Sequence, residues 1–301
     1  MPSSIDVVIC GSVGLDDIKT PFGEVKGALG GSASYSSVAA SYFAKPGMVS
    51  IVGEDFPKKH LDVFESKEIN LDGLAREGKT FRWQGFYEFD MNDAKTLKTE
   101  LNSLEHLSAT LPDSYADAPF LFLANSDPDV QIAMINKLPK AFKVLDTMNF
   151  WIKIKRERLA EAMGMVDIVV MNDAEARRFC DEVNLVKAAK QILALGPTYV
   201  IIKKGEHGAL LFSKDSCFNA PGYPLEALKD PTGAGDSFAG AMIGYLAKER
   251  ATDEKTLRKA VVYGSTVASF CAEDFSTNKS AHLTQDEIKE RYHEFEILRE
   301  F

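Results

Sequence analysis

Short β-rich runs alternate with helical runs along most of this 301-residue chain, and this alternation restricts the possible folds more than any other feature. Strands that alternate with helices form a parallel sheet with helices on both of its faces. The strand patterns lie at 5–10, 48–52, 120–124, 143–146, 168–171 and 199–203. Because ligands of such sheets bind beyond the carboxyl ends of the strands, polar residues at those ends are candidates for a site: Asn125, Asp146, Asn172 and Lys203.

One segment follows a different period. Between 79 and 91, large apolar side chains alternate with polar ones, with Phe86 as the exception. A period of two is typical of a half-buried antiparallel strand, and Leu97, Thr99 and Leu101 suit a return strand. We expect a small sheet apart from the main one, which is either a lid over the ligand site or an ordinary core hairpin.

Composition narrows the function classes. Hydrophobic residues make up 45% of the chain and no linker divides it, so we expect a single domain over 1–301. The net charge of −9 argues against a nucleic-acid binder, which needs a basic face. No apolar run approaches the length of a membrane span. The cysteines form no zinc or disulfide pattern, which favours a cytoplasmic location: Cys10, Cys180, Cys217 and Cys271.

The run Asp-Pro-Thr-Gly-Ala-Gly-Asp at 230–236 precedes a small-residue helical pattern. Gly233 and Gly235 let backbone N–H groups face a ligand, and a helix start adds further donors, so the run predicts a cradle for an anion. Asp236 follows directly, where a carboxylate can accept a proton. A weak base beside an anion cradle suits phosphoryl transfer to a hydroxyl. The alternative is that Asp236 only caps a helix after a glycine-rich turn.

This run resembles the C-terminal signature of the PfkB, or ribokinase-like, carbohydrate kinase family, and Gly30-Gly31 resembles the N-terminal glycine pair of that family. The resemblance extends from the first strand to a helix ending near Cys271. It implies a ribokinase-like three-layer α/β/α sandwich with a mostly parallel central sheet and a small β-sheet lid, formed here by about 14–30 and 79–102.

The resemblance also assigns roles in the transfer step. Asp236 corresponds to the catalytic base of the family, and the backbone of Gly233, Ala234 and Gly235 corresponds to its anion hole. Asn172 and Glu175 match an N-x-x-E motif associated with magnesium and phosphate positioning, with Glu175 acting on the metal through water. From the residues alone, the same pair predicts a capping box at a helix start.

The remaining nucleotide contacts follow the same resemblance. Residues 200–208 resemble the strand and loop beside the nucleotide, where Lys203 or Lys204 would neutralise phosphate charge, unless both lysines are simply solvated. Gly264 corresponds to the adenine-side wall. The candidate nucleotide-binding residues are Asn172, Glu175, Lys203, Gly205, Gly208, Thr232 and Gly264.

On the acceptor side, Asp16 corresponds to an aspartate that accepts hydrogen bonds from substrate hydroxyls, and the alternative is that it belongs to a solvated turn. The candidate substrate-binding residues are Asp16, Gly30, Gly31, Ser32, Tyr35 and Asn125. Three of these depart from the ribokinase pattern, which puts ribose in doubt: Ser32, Tyr35 and Asn125. The aromatic Tyr35 would be able to stack on a base, which admits nucleosides.

Together these residues predict an ATP-dependent kinase that phosphorylates a hydroxymethyl group of a sugar or a sugar-containing molecule. The alternatives are a nucleoside kinase of the same family and a non-catalytic relative that binds a metabolite. The expected cofactors are ATP and Mg²⁺, with a monovalent cation such as K⁺ as a further candidate. The expected partner is a small molecule, with neither nucleic acid nor membrane, and an exposed aromatic lid face suggests a homodimer through the lid.

Overall fold

The computed structural model describes residues 5–92 and 94–300. Over these residues the strands are β1 (Val7–Cys10), β2 (Gly14–Thr20), β3 (Gly23–Gly30), β4 (Pro46–Val52), β5 (Asn70–Arg76), β6 (Phe81–Tyr87), β7 (Ala94–Glu100), β8 (Phe120–Leu123), β9 (Phe142–Asp146), β10 (Ile168–Asn172), β11 (Tyr199–Lys203), β12 (Ala209–Phe212) and β13 (Cys217–Ala220). The α-helices are α1 (Ser32–Ala40), α2 (Lys58–Ser66), α3 (Pro128–Lys137), α4 (Asn149–Ile154), α5 (Arg156–Met163), α6 (Asp173–Cys180), α7 (Leu185–Leu193), α8 (Ala234–Glu249), α9 (Glu254–Ala272) and α10 (Gln285–Ile297).

The larger sheet has the strand order β13-β12-β11-β10-β9-β8-β1-β4-β5. All pairings from β11 to β5 are parallel, and the edge hairpin β12–β13 is antiparallel. The predicted mostly parallel sheet is thus confirmed. Because parallel strands expose their carboxyl ends at one edge, the polar residues that follow these strands gather there.

Side-chain alternation in β1 shows how the layers form. Val7 and Ile9 point into a core that also contains side chains of α1, α8 and α9. Val8 and Cys10 point to the other face, where α3, α5, α6 and α7 pack. A strand buried on both faces needs an unbroken apolar run, which β1 has. The result is the predicted α/β/α sandwich.

The second sheet is separate and has the order β3-β2-β6-β7. Its strands fall within the predicted lid segments, 14–30 and 79–102, so a small separate sheet is confirmed. The predicted alternation holds only as far as Tyr87, where β6 ends. Beyond it Phe89 is 90% exposed and Met91 is buried at a φ of 56°, so the prediction that both continue one strand face is wrong.

Hydrogen bonds attach this second sheet to the core sheet at its base. The buried hydroxyl of Thr80 donates to Asp55 Oδ1 at 2.7 Å, just before β6. Thr20, at the end of β2, donates to the carbonyl of Lys229 at 2.9 Å. These bonds place the small sheet over the carboxyl edge of the large one. Across 5–92 and 94–300, none of the helices combines the length and apolar character that crossing a membrane requires.

Candidate active site

The predicted anion cradle forms at the start of α8. Gly233 adopts a φ of 78°, a left-handed conformation that favours glycine, and it is the residue before the first helical turn. A Cβ at this position would also lie 2.3 Å from the ring of Tyr35. Glycine is therefore required here twice, by backbone conformation and by the aromatic ring packed against it.

The three amides of the cradle are not equivalent. The N–H of Ala234 donates to the carbonyl of Pro231 at 3.1 Å, which closes a turn. Within the part of the chain that the structure describes, the N–H groups of Gly233 and Gly235 have no hydrogen bond. Two glycine amides are thus free to receive an anion, the Ala234 amide is already engaged, and the anion hole stays a prediction.

Asp236 lies in the first turn of α8 and retains partial solvent access. Burial and the nearby charge of Asp146 raise the pKa of its carboxyl to about 7, although Lys203 opposes the shift. A carboxyl with a pKa near neutrality is better suited to accept a proton than an ordinary aspartate. The helix start also places it beside the glycine amides of the cradle.

An ion pair joins two strand ends next to this carboxyl. Lys203 Nζ lies 2.7 Å from Asp146 Oδ2, and the two side chains are 15% and 4% exposed. Of the two adjacent lysines, Lys203 is the one that reaches the site, but it is paired with an acid rather than free. Asp146 is one of the polar strand-end residues, at the end of β9, but no role in the reaction was predicted for it.

Asn172 and Glu175 form the capping box that opens α6, with both reciprocal hydrogen bonds at 2.8 Å. The structural alternative for this motif is therefore present, yet it does not remove Glu175 from the site. Burial and the charge of Asp146 raise the pKa of Glu175 to about 8. The carboxyl also interacts electrostatically with Lys203 and Asp236, so the cap holds an acid at the edge of the cradle.

A further carboxyl, that of Asp16, belongs to the small sheet. Asp16 in β2 is 4% exposed, and its pKa is raised to about 8 by burial and by the charges of Asp230 and Asp236. Its carboxyl lies over the backbone of Gly30, where a Cβ would come within 2.0 Å of Oδ2. Gly30 thus makes room for the carboxyl of Asp16 in the small sheet.

Ser32 and Asn125 connect the loops around Asp16. Ser32 Oγ donates to the carbonyl of Asn125 at 3.0 Å, and its N–H donates to Ser12 Oγ at 3.0 Å. The Asn125 side chain accepts a hydrogen bond from Trp151 Nε1 at 3.0 Å. The Ser32 hydroxyl thus already binds protein, whereas Asn125 lies at the partly exposed rim, and the substrate contacts of both residues stay predictions.

The ring of Tyr35 is not accessible to a ligand. It is 2% exposed and packs beneath Gly233, inside the core between α1 and α8. The prediction that a base stacks on Tyr35 is therefore wrong. Gly31, at a φ of 92°, begins α1, and a Cβ there would lie 2.5 Å from the carbonyl of Ser12, so this glycine permits the close approach of two loops.

The remaining candidate nucleotide-binding residues lie in three different parts of the fold. Gly205 (φ 55°) and Gly208 (φ 82°) shape the turn after β11, as predicted for that loop. Thr232 Oγ1 donates to the Tyr87 hydroxyl of the small sheet at 3.2 Å. Gly264 lies inside the α8–α9 contact, where a Cβ would approach the Phe238 carbonyl to 2.8 Å, and its place at the adenine-side wall stays a prediction.

Comparison with known proteins adds family information to this geometry. The profile of the pfkB family carbohydrate kinases matches residues 8–283. The cytidine kinase of Thermococcus kodakarensis is 30% identical over 263 residues, which cover 83% of this chain and 91% of that protein. The ribokinase of Haemophilus influenzae is 24% identical over 274 residues, 87% of each chain.

Solved structures with the same fold extend over almost the whole chain. A nucleoside kinase of Methanocaldococcus jannaschii, an archaeal member of the ribokinase family, has a TM-score of 0.78 at 20% identity and covers 97% of this chain and 100% of that chain. The nucleoside kinase of Burkholderia thailandensis in complex with ADP-inosine has a TM-score of 0.80 at 17% identity, with coverages of 96% and 95%. At these identities the similarity establishes the fold.

Proposed function

The chain belongs to the pfkB family of carbohydrate kinases, and we propose that its two enclosed aspartates divide the work of phosphorylating a sugar-like acceptor, one binding it and one accepting its proton. One observation supports this proposal most strongly. Within the described residues, burial and neighbouring charges shift the pKa of the Asp16 and Asp236 carboxyls, and no hydrogen bond contributes to either shift. Two such carboxyls suit a ligand that brings several hydroxyl groups.

The transfer step uses Asp236 as the base. As the acceptor oxygen forms its bond to the γ-phosphorus of ATP, its O–H bond breaks and the proton moves to Asp236. The bond between the γ-phosphorus and the bridging oxygen breaks, and ADP leaves with that electron pair. The amides of Gly233 and Gly235 would stabilise charge on the transferred group.

The residues present fit an indirectly held Mg²⁺. Glu175 uses one carboxylate oxygen for its capping bond, and the carboxyl interacts electrostatically with Lys203 and Asp236 of the site. No cluster of His, Cys, Asp and Glu able to hold a metal directly occurs in the described residues. We therefore assign Glu175, with Asn172 orienting it, to Mg²⁺ through water, as this cation prefers. Bound Mg²⁺ would neutralise negative charge on the phosphates of ATP.

A nucleoside is the acceptor that the comparisons favour, and a free sugar is the other candidate. The relative that is 30% identical is named a cytidine kinase, and the match covers 91% of that protein. The match to the 24% identical ribokinase covers 87% of that protein. Both candidates offer a hydroxymethyl group for transfer and ring hydroxyls for Asp16. The shared chemistry therefore stands whichever of them is correct.

A panel of acceptors with MgATP tests this function. Cytidine, uridine, inosine, adenosine, ribose and fructose would each be supplied, with ADP release and phosphorylated product measured together. We expect turnover with at least one nucleoside and product phosphorylated at the hydroxymethyl group. Turnover only with sugars would overturn the nucleoside assignment. Acceptor binding without any product would favour the non-catalytic alternative, against which the intact cradle and Asp236 argue.

A monovalent cation is a further part of the proposal. Asp230 Oδ2 is fully buried and has no hydrogen-bond partner in the described structure, and burial raises the pKa of this carboxyl. A cation such as K⁺ would satisfy that oxygen beside the cradle. We expect turnover to be higher in K⁺ than in choline at equal ionic strength. Equal rates in both would remove K⁺ from the proposal.

We also propose one kinase domain that pairs with a second copy through the lid, formed by β2, β3, β6 and β7. The lid carries exposed apolar side chains, including Phe22 at 57% and Leu97 at 62%. Sedimentation at micromolar concentration should show a dimer that Leu97→Lys weakens, and a monomer would reject the pairing. The cytoplasmic location inferred from the cysteines stays a prediction.

A further inference from the structure

The ion pair between Lys203 and Asp146 lies beside the reaction but has no role in it so far. Its two residues end β11 and β9, and both side chains are largely withdrawn from solvent. Removing two charges from water is costly, and a buried ion pair adds little net stability. Its place next to the base therefore points to a role in the chemistry rather than in stability.

Lys203 also touches the helix that carries the base. Its ammonium donates to the carbonyl of Gly235 at 3.4 Å, and a Cβ on Gly235 would lie 3.1 Å from Nζ. Gly235 directly precedes Asp236, so the lysine packs against the first turn of α8. A displacement of this ammonium would therefore change the electrostatic environment of Gly235 and of the Asp236 carboxyl.

The electrostatic surroundings of Asp236 are mostly acidic. Among the described residues, Lys203 is the one cation whose charge lowers the pKa of Asp236, while burial and Asp146 raise it. The titratable groups that interact with Asp236 come from six elements: Asp16 in β2, Tyr35 in α1, Asp146 in β9, Glu175 in α6, Lys203 in β11 and Cys271 in α9. The base is thus balanced between one ammonium and several acids.

We propose that Lys203 and Asp146 are positioning residues for Asp236: the ammonium favours the ionised form of the base, and Asp146 holds the ammonium so that it does not pair with the base. This inference rests on the proposed role of Asp236. Without Asp146, the lysine would be free to bind Asp236 directly and weaken it as a proton acceptor. Without Lys203, three carboxyls would crowd the cradle with no compensating charge.

The pair makes a crossed prediction for the pH dependence of kcat/KM for the acceptor at saturating MgATP. Lys203→Met removes the cation, so the acid limb should move to higher pH by roughly one unit. Asp146→Asn removes the competing acid, so the acid limb should move to lower pH by a similar amount. The double variant should lie between the two single ones. A purely structural pair would not shift the limb in opposite directions.

The rival role for Lys203 is direct binding of the ATP phosphates. In that case Lys203→Met raises the KM for ATP at least tenfold and leaves the acid limb where it is in the unaltered protein. That result overturns the inference, as do unchanged profiles in both variants. Lys279→Met is the matched control, because Lys279 forms an exposed ion pair with Glu287 and is not among the groups that shift the pKa of Asp236, so the profile should stay unchanged.

The design separates this inference from the proposed function. Absence of turnover in the unaltered protein with every acceptor rejects the function itself, before any variant is made. If Lys203→Met does not fold, as judged by thermal unfolding, the nearly isosteric Asp146→Asn carries the test by itself. In that variant a limb shifted to lower pH supports the inference, and a limb that is unchanged or shifted upward contradicts it.

Discussion

The two ends of the proposed active site each contain an aspartate, but in opposite electrostatic surroundings. At the transfer end, Asp236 stands at a helix start beside glycine amides and the ammonium of Lys203. At the acceptor end, Asp16 lies in a strand of the lid, and every charge that acts on it raises its pKa further. Asp236, whose charge is partly balanced by Lys203, is suited to exchange a proton. Asp16, which has no such cation, is suited to accept hydrogen bonds from a ligand.

Glycine serves the two ends differently as well. Gly233 adopts a left-handed backbone so that its amide can face an anion, whereas Gly30 has an ordinary backbone and only makes room for Asp16. One glycine is required by conformation and the other by space. The comparison therefore predicts that damage at the transfer end lowers kcat and that damage at the acceptor end weakens acceptor binding.

The largest effect should come from Asp236→Asn. The amide keeps the shape of the carboxyl but cannot take the proton, so kcat should fall about 10³-fold. Acceptor affinity should stay within about threefold, since Asp16 is unaltered. Turnover and calorimetric acceptor binding would be measured on the same preparation. Weakened binding with normal turnover would reverse the assignment of the two ends.

Gly233→Ala should rank next. The added methyl group meets the ring of Tyr35 and strains a φ of 78°, so the cradle amides move and kcat should fall about 10²-fold. Gly27→Ala is the matched control, because Gly27 is also left-handed, at 57°, but has open space around it. If the two variants lose equal activity, backbone strain alone explains the loss and the cradle is not involved.

Asp16→Asn should affect the acceptor rather than the chemistry. Loss of charge-assisted hydrogen bonds should raise the acceptor KM about 10- to 100-fold and change kcat less. Asp17→Asn is the neighbouring control, because Asp17 accepts a bond from the Gly27 amide and an asparagine oxygen can replace it. An unchanged acceptor KM in Asp16→Asn would remove Asp16 from the substrate site.

The contact between Tyr87 and Thr232 joins the two ends, and its loss should have a smaller effect. Tyr87→Phe removes the hydroxyl that accepts the 3.2 Å bond from Thr232, so the lid should close less completely. We expect a roughly threefold higher ratio of ADP released to acceptor phosphorylated. Thr232→Val should act alike, and the double variant should add little. Additive effects would show that the two residues act separately.

The smallest predicted effect is the number of protons released when the acceptor binds. The pKa of Asp16 is raised to about 8 in the free protein, so this carboxyl is largely protonated at pH 7. Hydroxyl donors favour the ionised form, so acceptor binding should release up to about one proton. Calorimetry in buffers of different ionisation enthalpy measures this number, and Asp16→Asn should reduce it to about zero. Proton uptake would contradict the assignment.

The same shift has a consequence for stability. A carboxyl whose pKa is raised on folding binds its proton more tightly in the folded state, so its contribution to stability is present at low pH and is lost as pH rises from about 4 to about 8. Stability of the free protein should therefore decline over the range in which activity rises. Asp16→Asn should flatten that decline in thermal unfolding experiments, and a steeper decline would contradict the raised pKa.

Sequence patterns sufficed for the framework because the physics there is local. The apolar runs of β1 and β10 and the glycine-rich run before Asp236 each determine their own structure. The period of two predicted the lid segment that begins at 79, up to Tyr87, whereas the segment 14–30 came from the family resemblance. Past that point a change of chain direction, which no periodicity encodes, sent Phe89 to solvent and Met91 into the core.

The errors in the site share one cause, which is tertiary contact. Tyr35 was expected in the cavity, but its place beneath Gly233 depends on how α1 crosses α8. No role was predicted for Asp146 because its partner, Lys203, is 57 residues away in sequence. The Ala234 amide is a separate case, because its hydrogen bond to Pro231 belongs to a local turn. Chemistry could be inferred from motifs, whereas the pairing of side chains across strands could not.

The most direct test is a crystal structure with an acceptor and a non-hydrolysable ATP analogue bound. It should show the hydroxymethyl oxygen of the acceptor within about 3 Å of the Asp236 carboxylate and its ring hydroxyls on Asp16. The γ-phosphate should lie against the amides of Gly233 and Gly235. An acceptor whose reactive oxygen sits on Asp16, with Asp236 out of reach, would contradict the division of labour between the two aspartates.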